Sequence, residues 1–140
     1  NIQYIGIDIV KNLINENNLL YKNENINFIY QDMMIDDLPK CDLILCRDCL
    51  VLCSFADIKK TLFNIKKSGC KYLLITNFDI KRQNTDAKTG IWRPINLQGA
   101  PFNLSPPIMS INENCSEGNN LFKDKNLDMW DLRTLDLNFD

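Results

Sequence analysis

The stretch YIGIDIV, residues 4–10, is an apolar run interrupted by one acid, Asp8, at the point where its strand-like pattern ends. The residues from position 2 to position 9 are mostly β-branched or aromatic. Their nearly continuous apolar character predicts a short strand covered on both faces. Apolar residues at helical spacing follow as far as Tyr21, with an asparagine-rich outer face. A strand that ends on an acid and leads into a helix is typical of a β–α–β unit.

The same order repeats along the chain. INFIYQD (26–32) and CDLILCRD (41–48) predict a second and a third strand, each ending on polar residues, and KYLLITNF (71–78) predicts a fourth strand of the buried type. Between the last two, Ser54 and Asp57 predict a capping box that begins a helix, and Gly69 is placed to end it. Strands alternating with helices indicate parallel pairing through right-handed crossovers, and hence an open α/β sheet with helices on its faces.

The second half of the chain differs in character. Residues 79–107 contain GIWRPINLQGAPFNLSPP and show no sustained period of either kind, so we interpret them as a long loop or lid. Segments 108–114 and 127–135 predict a last pair of strands, antiparallel through a loop around Gly118. The 140 residues are expected to form a single domain, 1–140.

Composition narrows the class of protein. The formal net charge of -2 provides no basic excess, which disfavours nucleic acid and anionic lipid as partners. No apolar run reaches the roughly 18 residues of a membrane span, and no signal-peptide pattern opens the sequence, so we expect a cytoplasmic protein with no membrane partner. There is no histidine and no second C-x-x-C beside Cys46 and Cys49. We therefore expect no metal site, and six reduced thiols.

Acids at the strand ends are the candidate site. In an open α/β sheet the ligand lies outside the carboxyl ends of the strands. There Asp8 could accept hydrogen bonds from both hydroxyls of a ribose, and Asp32 would lie near an adenine amino group. The structural alternative is that acids simply end strands and begin turns. The occurrence of a third acid, Asp48, at such an end favours the ligand site.

These residues carry a resemblance. The order strand, Asp8, helix, strand, Asp32, strand, CRD (46–48), helix, strand and final strand pair resembles the class I S-adenosylmethionine-dependent methyltransferases. The string LCRDCLVLCSFADIKKTLFNIKKSGCKYLLITNF (45–78), followed by TGIWRPINL and APFN, is similar to a poorly characterised branch of that superfamily. The resemblance implies a Rossmann-like, mostly parallel sheet with a terminal antiparallel strand pair, and S-adenosylmethionine as the cofactor.

The resemblance also implies roles for particular residues. The residues expected to bind the cofactor are Asp8 and Ile9 at the ribose, Asp32 and Met33 at the adenine, and Cys46 and Arg47 at the methionine part. Asp48 is expected to accept a substrate proton, and its alternative role is an ion pair with Arg47. Trp92 and Arg93 are expected to meet an acidic or planar substrate, and the alternative is a tryptophan that pins the loop to the core.

One departure from the family is plain in the sequence. Family members begin with a strand and a glycine-rich loop, and no such segment precedes Asp8. We therefore interpret YIGIDIV as the second strand of an N-terminally truncated domain whose first strand is missing from this chain.

The function expected is methyl transfer to an unidentified small molecule or protein. Two alternatives stay open. The first is a non-catalytic interaction module whose open sheet edge pairs with another chain, which would allow a homo-oligomer. The second is a nicotinamide-dependent dehydrogenase in which Asp8 would hold the adenosine ribose.

Overall fold

The computed structural model describes residues 2–78 and 81–139. Its elements alternate as the sequence predicts. In chain order they are β1 (Tyr4–Asp8), α1 (Lys11–Tyr21), β2 (Ile26–Tyr30), β3 (Leu43–Cys46), a 3₁₀ turn (Leu50–Leu52), α2 (Phe55–Lys67), β4 (Tyr72–Asn77), β5 (Met109–Asn112), α3 (Glu117–Asn120) and β6 (Asn126–Asp131). α3 is a single irregular turn, because Gly118 and Asn119 have left-handed backbone angles inside it. In the described part of the chain no helix is long and apolar enough to cross a membrane.

β1, α1 and β2 form the predicted β–α–β unit. The two strands are parallel, with Tyr4 opposite Ile26 and Asp8 opposite Tyr30. The amide of Asn18 on α1 donates to the Phe28 carbonyl at 2.8 Å and accepts from the Phe28 N–H at 3.1 Å. This side chain therefore fastens the helix to the backbone of β2.

The other four strands form a second sheet in the order β3-β4-β6-β5. β3 and β4 are parallel, and β6 runs antiparallel to both β4 and β5. The expected terminal antiparallel pair is thus confirmed.

Helix α2 covers this sheet. It buries Ile58, Leu62 and Ile65 on one face and ends where Gly69, with a φ of 72°, leaves the helical conformation. The predicted capping box is only half formed. Ser54 Oγ accepts from the Asp57 N–H at 3.2 Å, but the Ser54 N–H donates to Thr89 Oγ1 at 2.9 Å and not to the Asp57 carboxylate.

Thr89 belongs to the long loop, and its hydroxyl donates to Asp57 Oδ2 at 2.5 Å. Thr89 therefore hydrogen bonds with both residues of the predicted capping box, as acceptor from the Ser54 N–H and as donor to the Asp57 carboxylate. The prediction of a complete capping box was wrong in one detail. The Ser54 N–H donates to a threonine distant in the sequence and not to the side chain of Asp57.

The core lies around the four-stranded sheet and includes the loop. Within residues 81–107, Ile95, Leu97, Phe102 and Leu104 are buried against the sheet and α2. The loop has no helix or strand among its described residues, yet its second half is packed into the core. That residues 79–107 act as a lid stays a prediction. Asp79 and Ile80, the first residues of the predicted loop, lie outside the described residues.

The described strands form two sheets, because β1 pairs only with β2 and β3 pairs only with β4. No described segment hydrogen bonds with the second edge of β1 or of β3. One expectation was wrong in detail: the strand predicted to be covered on both faces is half open, since Tyr4 and Ile5 are exposed. That a first strand of the fold is missing remains a prediction.

Candidate functional site

Asp8 and Asp32 stand at the carboxyl ends of two adjacent parallel strands. Asp8 Oδ1 accepts from the Val10 N–H at 2.8 Å, and Asp32 Oδ1 accepts from the Met34 N–H at 2.9 Å. Both carboxylates are partly exposed. Within the described residues neither forms an ion pair, and the second oxygen of each has no hydrogen-bond partner. Each acid therefore begins a turn, as the structural alternative predicts, and that its second oxygen holds a ligand stays a prediction.

Met33 connects this pair of acids to the second sheet. The Cys49 thiol donates to Met33 Sδ at 3.5 Å, and both residues pack against the core. The pKa of Cys49 is raised to about 12, first by its hydrogen bond with Cys46 and in smaller part by the charge of Asp8. Met33 follows Asp32 and Cys49 follows Asp48, so their contact brings the segment after β2 beside the segment after β3. The carboxyl ends of β1, β2 and β3 thus converge although the two sheets share no strand pairing.

Asp48 lies in an ion-pair network beside this convergence. It has a left-handed φ of 55°, and its N–H donates to Thr76 Oγ1 at 2.8 Å. Lys125 Nζ lies 2.7 Å from Asp48 Oδ1 and 2.8 Å from Oδ2. Arg47 contacts Asp48 at 3.4 Å but makes its short bond to Glu113, at 2.7 Å. The alternative of an Arg47–Asp48 pair is therefore present, with Lys125 as the stronger partner.

Lys125 is the centre of that network. Its side chain is only 11 % exposed, and it also lies 3.4 Å from Glu113 Oε2. Burial lowers the pKa of Lys125, but the hydrogen bonds and charges of Asp48 and Glu113 outweigh burial and raise it overall. The ammonium is therefore held charged between two carboxylates, and Asp48 is a carboxylate that already has a cation.

A second polar group is buried below the network. Asn77 Nδ2 donates to Asp128 Oδ2 at 2.6 Å, and Asn77 Oδ1 accepts from the Leu97 N–H at 2.7 Å. The Ser110 hydroxyl donates to the other Asp128 oxygen. These bonds fix the long loop to β4 and β6 and satisfy a carboxylate that is almost fully buried.

The structure separates Trp92 from Arg93. Trp92 packs edge-on against Phe122 at 4.9 Å between ring centroids, and 44 % of the residue stays exposed. The Arg93 side chain is 11 % exposed, lies over the Phe55 ring at 5.6 Å and donates to the Val51 carbonyl. Arg93 thus pins the loop, which is the role the alternative had given to the tryptophan. The expectation that both residues face one substrate is not supported by these contacts.

The remaining expected residues lie as follows. Cys46 is buried in the core at the end of β3, and Ile9 is exposed directly after Asp8. A groove of about 190 Å³ adjoins Asp8, between the face of β1 and helix α1. Its lining includes Gly6, where an added side chain would meet the Phe28 ring at 2.5 Å.

The residues present fit the adenosine half of the expected cofactor, S-adenosylmethionine. The free oxygens of Asp8 and Asp32 suit the hydroxyl and amino groups of an adenosine. The described chain has no glycine-rich turn beside them that would let the backbone approach the methionine half. No cluster of three metal-binding side chains occurs in the described residues either.

Sequence reasoning missed Lys125, Thr76 and Asp128. Each is an ordinary residue in a predicted strand or turn. The pairing of β3 with β4 brings Thr76 to Asp48, and the pairing of β6 with β4 brings Lys125 to Asp48 and Asp128 to Asn77. Glu113 was noticed near the rim without a role. No pattern in the sequence indicated the role of Lys125, because it lies just before the predicted strand 127–135, whose neighbour in the sheet was expected to be the segment 108–114.

Comparison with known proteins bears on the fold. No protein-family model matches the sequence, and no curated protein does. The N-methyltransferase NodS from Bradyrhizobium japonicum WM9 is similar over 92% of this chain and 72% of its own, with a TM-score of 0.57 and 14% identity. Human N-acetylserotonin methyltransferase, solved with SAM, is similar over 67% of this chain with a TM-score of 0.53 and 17% identity.

A third structure, the [4+2]-cyclase SpnF, is similar over 69% of this chain and 39% of its own, with a TM-score of 0.51 and 15% identity. This chain spans about a third of the human enzyme, 31%. At these identities the likeness concerns the course of the backbone, and the strand order β3-β4-β6-β5 with its reversed β6 agrees with it. The fold of this chain is that of the class I S-adenosylmethionine-dependent methyltransferases.

Proposed function

We propose that this chain carries the adenosine-binding part of an S-adenosylmethionine-dependent methyltransferase that acts on a small molecule or a protein. The observation that carries the proposal is the pair of carboxylates, Asp8 and Asp32, at the ends of neighbouring parallel strands. Each has a backbone N–H on one oxygen and no described partner on the other. A carboxylate without a cation is a strong acceptor for neutral hydroxyl and amino donors.

Different residues of the chain would bind different parts of the cofactor. Asp8 accepts from ribose hydroxyls, and Asp32 accepts from the adenine amino group. Met33 and Cys49, in contact at 3.5 Å, offer an apolar wall beside them. The cofactor, when bound, supplies an electrophilic methyl group on a sulfonium.

Asp48 is the proposed proton acceptor. Lys125 Nζ lies 2.7 Å from Asp48 Oδ1 and holds this carboxylate in one position. A carboxylate in a fixed position suits an acceptor group whose proton is acidified by methylation itself, since methyl transfer depends mainly on positioning. Trp92, with its exposed face, is the proposed contact for the acceptor.

The test is calorimetric titration of S-adenosylhomocysteine into the chain and two variants. Asp8→Asn keeps the size of the side chain but replaces one acceptor oxygen with a donor, so it should weaken binding by about 10-fold or more. Asp37→Asn is the matched control, because Asp37 is a highly exposed acid paired with Lys67. Its affinity should equal that of the parent chain.

Two results would overturn the proposal. One is a folded chain, checked by circular dichroism, that does not bind S-adenosylhomocysteine. The other is binding that is the same with and without Asp8→Asn. Saturable binding of NAD in place of S-adenosylhomocysteine would support the dehydrogenase instead.

A non-catalytic interaction module is the second candidate, and one observation favours it. In the described chain β1 and β3 each present an unpaired edge, and Ile5, Leu43 and Leu45 on these strands are exposed. Unpaired edges with apolar side chains are ready to pair with another chain. Light scattering should then give a mass above the 16.3 kDa of one chain. A monomer that binds S-adenosylhomocysteine would exclude this candidate.

A further inference from the structure

Two cysteines approach each other at the end of the sheet opposite the candidate site. Cys41 precedes β3 and Cys70 precedes β4, 29 positions further along the chain, and their sulfur atoms are 2.7 Å apart. That separation is only about 0.65 Å longer than a covalent disulfide bond of about 2.05 Å. Neither thiol takes part in the proposed function.

The surroundings hold both sulfurs in place. The Cys41 N–H donates to Cys70 Sγ at 3.0 Å, and the Cys70 thiol lies 3.5 Å from the Pro39 carbonyl. Cys70 is 2 % exposed, whereas Cys41 is partly exposed and open to a small oxidant. The adjoining strands β3 and β4 are paired directly, with Leu43 opposite Tyr72. Closing a bond here therefore needs little movement of the backbone.

We propose that Cys41 and Cys70 are a redox-responsive pair that forms a disulfide when the protein meets a peroxide. Cys41 sulfur attacks one peroxide oxygen, which breaks the O–O bond, leaves a sulfenic acid on Cys41 and releases one water after proton transfer. Cys70 sulfur then displaces the hydroxyl from the sulfenic sulfur, and a second water leaves. Two S–H bonds are lost, one S–S bond forms, and hydrogen peroxide takes up the two electrons.

The pH should control the rate of this reaction. Burial, followed by the hydrogen bond and charge of Cys70, raises the pKa of Cys41 to about 12. Because the thiolate is the nucleophile, the bond should form slowly near pH 7 and faster toward pH 9. The pair is thus expected to respond to sustained oxidation.

The other thiols are arranged differently. The Cys49 thiol donates to Met33, and the Cys53 thiol donates to the Cys49 carbonyl at 3.7 Å. Cys115 lies far along the chain, near Glu117. The Cys49 thiol also has Cys46 and Cys53 as neighbours. Among the described residues, however, the 2.7 Å contact of Cys41 with Cys70 is the sulfur–sulfur approach that comes near the length of a covalent bond, and it selects this pair.

Mass spectrometry of the folded chain tests the selection. Treatment of the parent chain with hydrogen peroxide at pH 8.5 should lower its mass by about 2 Da. The control Cys115→Ser should lose the same mass. Neither Cys41→Ser nor Cys70→Ser should lose it. After alkylation and trypsin digestion, CDLILCR (41–47) should be joined to SGCK (68–71). Fragmentation should place the bond on Cys41 and the alkyl label on Cys46.

A stability measurement and a denatured control complete the test. Closing a loop of about 30 residues should raise the melting temperature by roughly 5–10 °C relative to the reduced chain. Oxidation of the chain unfolded in urea should give disulfides between several different pairs of cysteines. Such a mixture would show that the native fold is what directs the disulfide to Cys41 and Cys70. No mass loss in the folded chain, a bond involving any other cysteine, or the same mixture with and without urea would overturn the inference.

Discussion

At the scale of single residues, the ion-pair partners of Asp48 decide how its role is interpreted. A carboxylate at a strand end with a left-handed backbone is easily interpreted as a catalytic acid. Here it shares one ammonium, that of Lys125, with Glu113. Lys125 therefore contributes to the stability of the fold, because without it two partly buried carboxylates would share only the more exposed Arg47.

We expect Lys125→Met to destabilise the fold by about 2 kcal/mol or more, since it keeps the volume of the side chain but leaves Asp48 and Glu113 with only the more exposed Arg47 as a cation. Urea denaturation followed by circular dichroism measures the loss. Lys123→Met is the matched control, because Lys123 is exposed and two positions away. Equal effects of the two substitutions would show that the network contributes nothing.

At the scale of the elements, the start of α2 depends on a residue 35 positions from its N-cap. Thr89 accepts from the Ser54 N–H and donates to Asp57. The same contacts lower the pKa of Asp57, with the Thr89 hydrogen bond as the first cause and that of Ser54 as the second. The loop and the helix are therefore coupled through one hydroxyl group.

Thr89→Val removes that hydroxyl without changing the shape of the side chain. The expected result is a loss of about 1 kcal/mol in the free energy of unfolding and a higher pKa for Asp57, closer to its ordinary value. Titration of the Asp57 carboxyl by NMR measures the second effect. Thr85→Val is the control, because Thr85 is an exposed threonine of the same loop. An Asp57 pKa that does not move would contradict this account of the cap.

The elements themselves were largely predictable, and the reasons are local. β1, β2, β3 and β4 follow from short apolar runs, and the end of α2 follows from Gly69. The Thr89 bridge and the Asn18 bond to β2 were not predictable, because each joins segments whose distance in space is unknown from the sequence. Asn18 appears in the sequence as one of many asparagines on a solvated face, and its backbone partner becomes visible only in the folded unit.

At the scale of the whole molecule, acids with lowered pKa values link stability to pH. Arg133 lowers the pKa of Asp131 to about 2, and the pKa values of Asp37, Asp42 and Asp57 are also below their ordinary range. A depressed folded-state pKa stabilises the fold above the unfolded value of about 3.9, and that contribution is lost as the pH falls toward the folded value.

We therefore expect the urea midpoint to be steady above about pH 5 and to fall steeply between about pH 4 and pH 2. In Asp131→Asn the fall should be shallower, because one of the linked protons is gone. Asp136→Asn, a change at an exposed acid near the C-terminal end of the described chain, serves as the control. A midpoint that stays level down to pH 2 would refute the linkage.

The candidate site was predictable in part at this scale. That Asp8 and Asp32 share one edge follows from parallel pairing, which the strand–helix alternation indicates. The division into two sheets and the Lys125 network depend on how β6 inserts beside β4, and no pattern within a single segment encodes that. The opposite placements of Trp92 and Arg93 likewise arise from packing on Phe122 and on Phe55.

The uneven distribution of the core has a consequence for motion. Among residues 2–30 only Ile14 is buried, while the apolar core lies with the four-stranded sheet. The β1–α1–β2 unit should therefore open locally at a lower free energy than the rest, as a separate cooperative unit. A ligand held by Asp8 and Asp32 on one side and by the end of β3 on the other would bridge the two units. Such a ligand would add its binding free energy to the weaker unit, and its occupancy would set how often that unit opens.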